Sequence, residues 1–432
     1  MKTTFAPLKI LLFMGCVVFF SCQQEELSTA DSVNNTQGET AKKWEIAGKS
    51  AKIYVSSVDS LYLAVNNPAN AGATIVLAPG TYPLSPNHPN RGRIELLHDM
   101  SLIGQAGHPE AVIIDVSALP TASQQLPPDP IAGQFRTGVI RMGNGSNAIE
   151  WMTLQNDPSH RIRSIINTDL VTTPVTNIRI AHTIVKGSNI GINIQNRFTE
   201  SNGRVINAEI VDNELTGNTF LPQGTGIFIQ NSWGGIDGGV IRVTLRGNYV
   251  HGNLFGLGAF NESSTNSTIE IKSNGDRFED NALGIDIVGG LAADPDPFGL
   301  TNGNSVLFEA YGTAIKNNLG VPAPPGPPYP TGTLGGISAH GGQVDVTSVL
   351  GYANNNKIEI NLYGCPIENN VGPNQINVWG ARSTFLSPLP AGTNNTATVH
   401  LYGLSKQAKV NAIASFPVEP AGTNKVDIFP NI

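Results

Sequence analysis

Charge is scarce in this chain: Lys, Arg, Asp and Glu make up 14% of its 432 residues, and no cluster of basic residues interrupts it. Without a basic patch there is no electrostatic footprint for a phosphate backbone, so nucleic acid is not among the expected partners. Cysteine is scarcer, at positions 16, 22 and 365. A lone thiol downstream of residue 22 excludes an intramolecular disulfide framework. Long apolar runs are missing too. The run "ILLFMGCVVFF" at 10–20 falls short of the roughly 20 residues a bilayer-spanning helix needs. What is plentiful is 47 Gly, 29 Pro and much Asn, the composition of many turns between short elements.

The N-terminus carries an address. Lys2 and Lys9 precede the apolar run, and the small Ser21 precedes Cys22, the order of a signal peptide. The stretch "VFFSC" (18–22) resembles the bacterial lipobox, in which cleavage precedes a diacylated cysteine. That resemblance implies a signal peptide over 1–21 and lipidation at Cys22, an anchor that holds a protein to a membrane without spanning it. Removing residues 1–21 leaves 24 basic against 33 acidic residues, a net charge of −9, which favours solubility. Residues 22–48 are polar and poor in hydrophobes, so they read as a flexible tether. Within them "QQEEL" brings Glu25 and Glu26 next to the anchor, and this resembles the acidic export signal of Bacteroidetes surface lipoproteins. An outer-membrane, surface-facing location is what that resemblance implies. Residues 49–432 remain as one domain.

That domain repeats itself. "INAEIVDNELTGN" (206–218), "IRVTLRGNYVHGN" (241–253), "IEIKSNGDRFEDN" (269–281), "VLFEAYGTAIKNN" (306–318) and "IEINLYGCPIENN" (358–370) share one thirteen-residue frame. Each starts apolar, has a turn-forming or small residue at position eight and ends in Asn. "IRIAHTIVKGSN" (178–189) fits the frame one residue short. Unit starts are 28, 35, 28, 37 and 52 residues apart, and a second short strand follows most units, as in "GINI" (191–194), "GIFI" (226–229) and "GIDI" (284–287). A catalytic motif has no reason to recur in this way, whereas a solenoid does, because each coil buries its apolar side only by stacking on its neighbours. Alternation places Ile192 and Ile194 inward and Asn193 and Gln195 outward. The position-eight residues Asn213, Asn248, Asp276, Thr313 and Cys365 fall in stacked turns, where side-chain amides can satisfy one another and the backbone.

On these residues the chain resembles the right-handed parallel β-helix of the pectin lyase-like superfamily, a three-sheet all-β solenoid. The segment "VDSLYLAVNNPANAGATIVLAPGTYPL" (58–84) is similar to that superfamily's N-terminal module. The resemblance implies a short amphipathic capping helix, with Leu61, Leu63 or Ala64 and Val65 as its apolar positions, and a strand ending in "PGTY" that starts the first coil. "MSLIGQAGHPEAVIID" (100–115) is similar to the next coil. The fold hosts lyases, hydrolases, adhesins and proteins without catalysis, so the resemblance leaves activity open.

Enzymes of the superfamily work on the outer face of the strand that corresponds to "GIxI". There one outward column reads Asn193, Phe228, Gly258, Asp286, Ser338 and Asn377, and a second reads Gln195, Gln230, Phe260, Val288, His340 and Trp379. Rings stack on the C–H faces of sugars and amides bond hydroxyls, so Asn193, Gln195, Phe228, Gln230, Phe260, Asn377 and Trp379 form a candidate surface for an extracellular polysaccharide. Glycoside hydrolysis needs two flanking carboxylates, and Asp286 stands alone in these columns. Asp286 and His340 are the catalytic candidates if the protein is a polysaccharide lyase or glycoside hydrolase. Asp294 and Asp296 in "GIDIVGGLAADPDPFG" (284–299) are the candidate Ca²⁺ ligands, against the plainer reading of a solvated turn with no metal. The proline-rich "LGVPAPPGPPYPTG" (319–332) suggests a projecting loop, and with it an adhesin or structural role. The closing "VDIFPNI" is expected to seal the apolar end.

Overall fold

The computed structural model describes residues 51–120, 138–157, 164–170, 173–197, 199–219, 224–293, 300–320, 334–345, 352–372, 374–383, 392–403, 410–416 and 423–430. Cys22, Asp294, Asp296 and most of the 319–332 segment lie outside the described residues. Residues 49–432 form one compact unit, an all-β parallel β-helix.

Each coil contributes one strand to each of three parallel sheets. In one coil these are Val175–Ala181, Ile184–Lys186 and Ile190–Arg197, in the first, second and third sheet respectively. The first sheet stacks twelve strands and the second nine, every pairing parallel. Parallel crossovers are right-handed in nearly all cases, which sets the hand of the solenoid. The apolar positions of the thirteen-residue frame point to the axis: Ile241, Val243 and Leu245 of one coil are buried over Ile269 and Ile271 of the next. All belong to one continuous apolar core that runs from Val55 to Leu401.

The frame is in register coil by coil, with Ile206, Ile241, Ile269, Val306 and Ile358 directly stacked. One coil departs from the sequence expectation. Thr176, not Ile178, pairs with Ile206, so that unit is a full frame over 176–188, with Thr183 at position eight and Ser188 at position thirteen. Hydroxyls replace amides there, which hid the phase. At position eight Thr183 Oγ1 donates to Asn213 Oδ1 (2.8 Å), Asn213 Nδ2 to Asn248 Oδ1 (2.9 Å) and Asn248 Nδ2 to Asp276 Oδ1 (2.7 Å). At position thirteen Asn218, Asn253, Asn281, Asn318 and Asn370 form a second ladder, with Nδ2–Oδ1 distances between 2.6 and 3.3 Å. The second amide proton of Asn213 and of Asn248 goes to a backbone carbonyl, Ile180 O and Ile210 O, so these buried turns leave few polar groups unmet. Cys365 ends the first series as a buried thiol donating to Ala310 O at 3.3 Å, and burial pushes its pKa up.

The ends differ. At the N-terminal end helix α1 (Val58–Val65) follows Ser57, whose side chain caps the amide of Ser60. It buries Leu61, Tyr62, Ala64 and Val65, while Leu63 is 75% exposed. Ala64 is thus the inward residue of the Leu63/Ala64 alternative, and Tyr62 joins it by donating its hydroxyl to Gly92 O. At the other end the strand Lys425–Phe429 adds to the first sheet, where Val426 and Ile428 are only partly buried against the core. The described part of the closing segment covers this end incompletely.

Candidate functional site

The two outward columns of the third sheet exist as registered rows. Asn193, Phe228, Gly258, Asp286, Ser338 and Asn377 pair in succession, and so do Gln195, Gln230, Phe260, Val288, His340 and Trp379. Period-two alternation fixes this, because the inward Ile residues leave the intervening positions no other direction.

These columns are not an open groove. Asn193, Gln195, Phe228, Gln230, Asn377, Trp379, Ser338 and His340 are all buried, and of the column positions only Phe260 and Asp286 reach solvent in part. The polar side chains in the first coils are satisfied by one another. Gln195 Nε2 donates to Asn167 Oδ1 (2.7 Å), Asn193 Nδ2 to Gln195 Oε1 (3.2 Å), and Gln230 Nε2 to Asn193 Oδ1 (3.0 Å) and Gln195 Oε1 (3.1 Å). Phe228 meets Phe260 edge-on, with ring centroids 5.0 Å apart. Gly258 makes the room: a Cβ there would lie 2.7 Å from the Phe228 ring.

Further along, Asp286, Ser338, His340 and Trp379 come together. His340 stacks on Trp379 at 4.6 Å with an interplanar angle of 5°, and the Arg382 guanidinium lies 5.7 Å from the Trp379 ring. Ser338 Oγ is 2.9 Å from His340 Nε2, and Asp286 Oδ1 is 3.9 Å from the same nitrogen. A nucleophile–base–orienter relay needs its hydroxyl and carboxylate on opposite nitrogens of the ring. Here both approach Nε2, and Nδ1 has no hydrogen-bond partner among the described residues. Burial, with the nearby Arg382 cation, holds the His340 pKa well below the ordinary imidazole value, so the ring is neutral at physiological pH. The two catalytic candidates are therefore neighbours, in a geometry that suits a packed polar cluster better than proton relay.

The same column extends towards the N-terminus through Glu95, Arg141 and Asn167, which the repeat alignment did not reach. Arg141 Nη1 meets Glu95 Oε1 at 2.6 Å and its Nε meets Asp169 Oδ1 at 2.9 Å. These two carboxylates share one buried guanidinium. Ile94–Glu95, Ile140–Arg141 and Ile166–Asn167 repeat an isoleucine–polar pair, and that was the available signal. Arg204, fully buried nearby, donates to the carbonyls of Thr168, Gly143 and Leu170, and burial brings its pKa down to about 10. Arg242 pairs with Glu270 and Arg277 with Glu279. Among the described residues no group of three or more His, Cys, Asp or Glu side chains is arranged to hold a metal.

No protein-family model matches the sequence, and no curated protein is similar to it. Solved structures to which the fold is similar include "pectate lyase Pel9A" at 13% identity and a TM-score of 0.38, covering 87% of this chain and 83% of that one. Another is the catalytic unit of a "thermostable GH87 alpha-1,3-glucanase" from Streptomyces thermodiastaticus, at 12% identity and a TM-score of 0.34, covering 87% and 65%. A third is an "alginate lyase" from Paenibacillus, at 14% identity and a TM-score of 0.27, covering 88% and 99%. At this distance none of them carries an argument about the chemistry of this chain.

Proposed function

We propose that the protein is a surface-anchored β-helix lipoprotein that binds an extracellular polysaccharide and does not turn it over. The observation that supports binding is the one break in the buried columns. Phe260 and Asp286, on neighbouring strands, reach solvent over a floor already ordered by Phe228, Gln230 and His340. A part-exposed ring and an acceptor carboxylate on a rigid floor suit a sugar residue, which offers an apolar face and donor hydroxyls. Two features weigh against turnover. Glu95, the other carboxylate of this column, lies six strands from Asp286 and is tied to Arg141, where glycoside hydrolysis needs a facing pair, and Ser338 and Asp286 both approach one nitrogen of His340, which leaves no relay. Anchoring rests on the lipobox-like "VFFSC" with Cys22 as the acylated residue, and outer-membrane surface exposure on Glu25 and Glu26.

The test is calorimetric titration of the full chain with a panel of glycans. Binding to at least one, reduced roughly tenfold or more by Phe260→Ala, is the expected result; indifference of every bound glycan to that substitution refutes the site. Labelled acyl chain should enter the wild type and not Cys22→Ala. A catalytic reading, as polysaccharide lyase or glycoside hydrolase, has one observation in its favour, the 3.9 Å approach of Asp286 to His340. Release of unsaturated or reducing ends from any glycan, abolished in Asp286→Asn, would replace the binding reading with that one.

A further inference from the structure

A second surface, at the corner between the first and second sheets, carries chemistry that the repeat does not require. Eight successive coils turn this corner through one left-handed residue: φ is 61° at Trp151, 54° at His182 and 51° at Asp212, then 65°, 64°, 59°, 59° and 63° at Gly247, Gly275, Gly312, Gly364 and Gly403. The stack is continuous, with Trp151 N donating to Ala181 O, His182 N to Val211 O, Asp212 N to Arg246 O and Gly247 N to Asn274 O. Such backbone favours glycine and tolerates Asp and His, whereas a residue as bulky as Trp151 in it is an outlier that points to a function. A Cβ at Gly275, Gly312 or Gly364 would meet nothing within 4 Å. Those positions adjoin open space, so packing does not dictate what stands at this corner.

The three exceptions converge. Trp151 stacks on His182 at 3.9 Å with an interplanar angle of 13°, and His182 Nδ1 lies 3.8 Å from Asp212 Oδ2. Asp212 leans over the next coil, where a Cβ on Gly247 would fall 2.2 Å from its Oδ1. Glu214, whose Oε1 lies 3.2 Å from His251 Nε2, and Tyr249, whose ring packs against His251 at 4.0 Å and the Arg277 guanidinium at 4.2 Å, complete a groove of about 330 Å³. In coil order the Trp151 ring, two carboxylates and the edge of Tyr249 follow one another. The groove is large enough for one small ligand, and the cation beside Tyr249, Arg277, is paired with Glu279.

We propose that this corner is a second saccharide site, which takes a neutral sugar unit and rejects a uronate. Trp151 supplies aromatic surface for the C–H face of the ring, and Asp212 and Glu214 accept its hydroxyl protons. The same two carboxylates repel a sugar that carries its own. For its ligand class the inference rests on the polysaccharide reading; for its place it is independent of it.

The experiment is calorimetric titration of the full chain with neutral gluco-, manno- and xylo-oligosaccharides and with oligogalacturonate. Its variants are Asp212→Gly, Trp151→Ala and Phe260→Ala. Asp212→Gly installs the residue this turn uses in five other coils, so it folds at least as well and its melting temperature stays level or rises. The expected result is a loss of roughly tenfold or more in affinity for a neutral oligosaccharide in Asp212→Gly and in Trp151→Ala, with no oligogalacturonate bound at the corner. Neutral binding unchanged in both corner variants overturns the proposal, and so does oligogalacturonate binding that Asp212→Gly removes. Loss in Phe260→Ala alone leaves the third-sheet reading intact and the corner refuted. Loss in the corner variants alone does the reverse. No binding to any glycan ends both.

Discussion

The outer faces of the first and third sheets are built on the same alternation and end up in different environments. In the first, the strand Val240–Arg246 leaves Arg242, Thr244 and Arg246 exposed between buried Ile241, Val243 and Leu245. In the third, all eight residues of Ile190–Arg197 are buried. Alternation decides which side chains face the axis; it does not decide whether the others are wet. Where water is absent the outward side chains must satisfy one another, so the third sheet carries an amide network while the first carries surface ion pairs such as Arg242–Glu270.

The largest test of this contrast uses two stacked aromatics. Trp379, 3% exposed, and Tyr402, 43% exposed, each stack on one ring at 4.6 Å. Trp379→Ala is expected to cost about 3–5 kcal/mol, and Tyr402→Ala about 1 kcal/mol or less, read from urea midpoints. Equal costs would break the contrast. A smaller effect separates two polar positions. Gln230→Ala strands the Asn193 carbonyl oxygen, takes one of two donors from that of Gln195 and should cost about 1–3 kcal/mol, whereas Thr244→Ala should stay within about 0.5 kcal/mol.

The smallest effect is in pH dependence, where a buried and an open carboxylate of the first-sheet region have opposite signs. Burial raises the Asp276 pKa, opposed by its hydrogen bonds from Ser273, Asn248 and Asn274. The folded chain then holds that proton more tightly than the unfolded one, so this contribution is fully present below the unfolded pKa and is lost as pH rises through the folded value. The hydrogen bond from Lys357 lowers the Glu359 pKa; its contribution is present above the unfolded value and is lost as pH falls through the folded one. Asp276→Asn should make stability at neutral pH rise relative to acid pH, and Glu359→Gln should do the opposite by less. Denaturation midpoints taken between pH 3 and 7 check both signs.

Much of the architecture was legible in the sequence for a simple reason. Register in a parallel stack is one-dimensional, so the intervals between repeats that align Ile206 with Ile241 and Ile269 also align Asn193 with Phe228. The burial of the columns was not legible, since it depends on what lies over a strand and not on the strand. Hydroxyl rungs such as Thr183 and Ser188 concealed the phase of one coil, because the search was for Asn. The corner residues Trp151, His182 and Asp212 were missed although position seven of the frame reads Gly247, Gly275, Gly312 and Gly364 in the later units. A break in a glycine series is itself a signal, and it was readable at Asp212.

The asparagine ladders have a consequence for how such a chain can change. The bonds between rungs share one direction: the backbone amide and Nδ2 of Asn213, Asn218 and Asn253 donate to the Oδ1 of the following coil. Both ladders advance together, by 35 and then 28 residues, from Asn213 to Asn248 to Asp276 and from Asn218 to Asn253 to Asn281. All variation in coil length therefore falls outside the stretch from position eight to position thirteen that they bracket. A whole turn can be duplicated or removed between equivalent rungs and the polar connections close again, so the length of this molecule is an adjustable property, changed in integral steps.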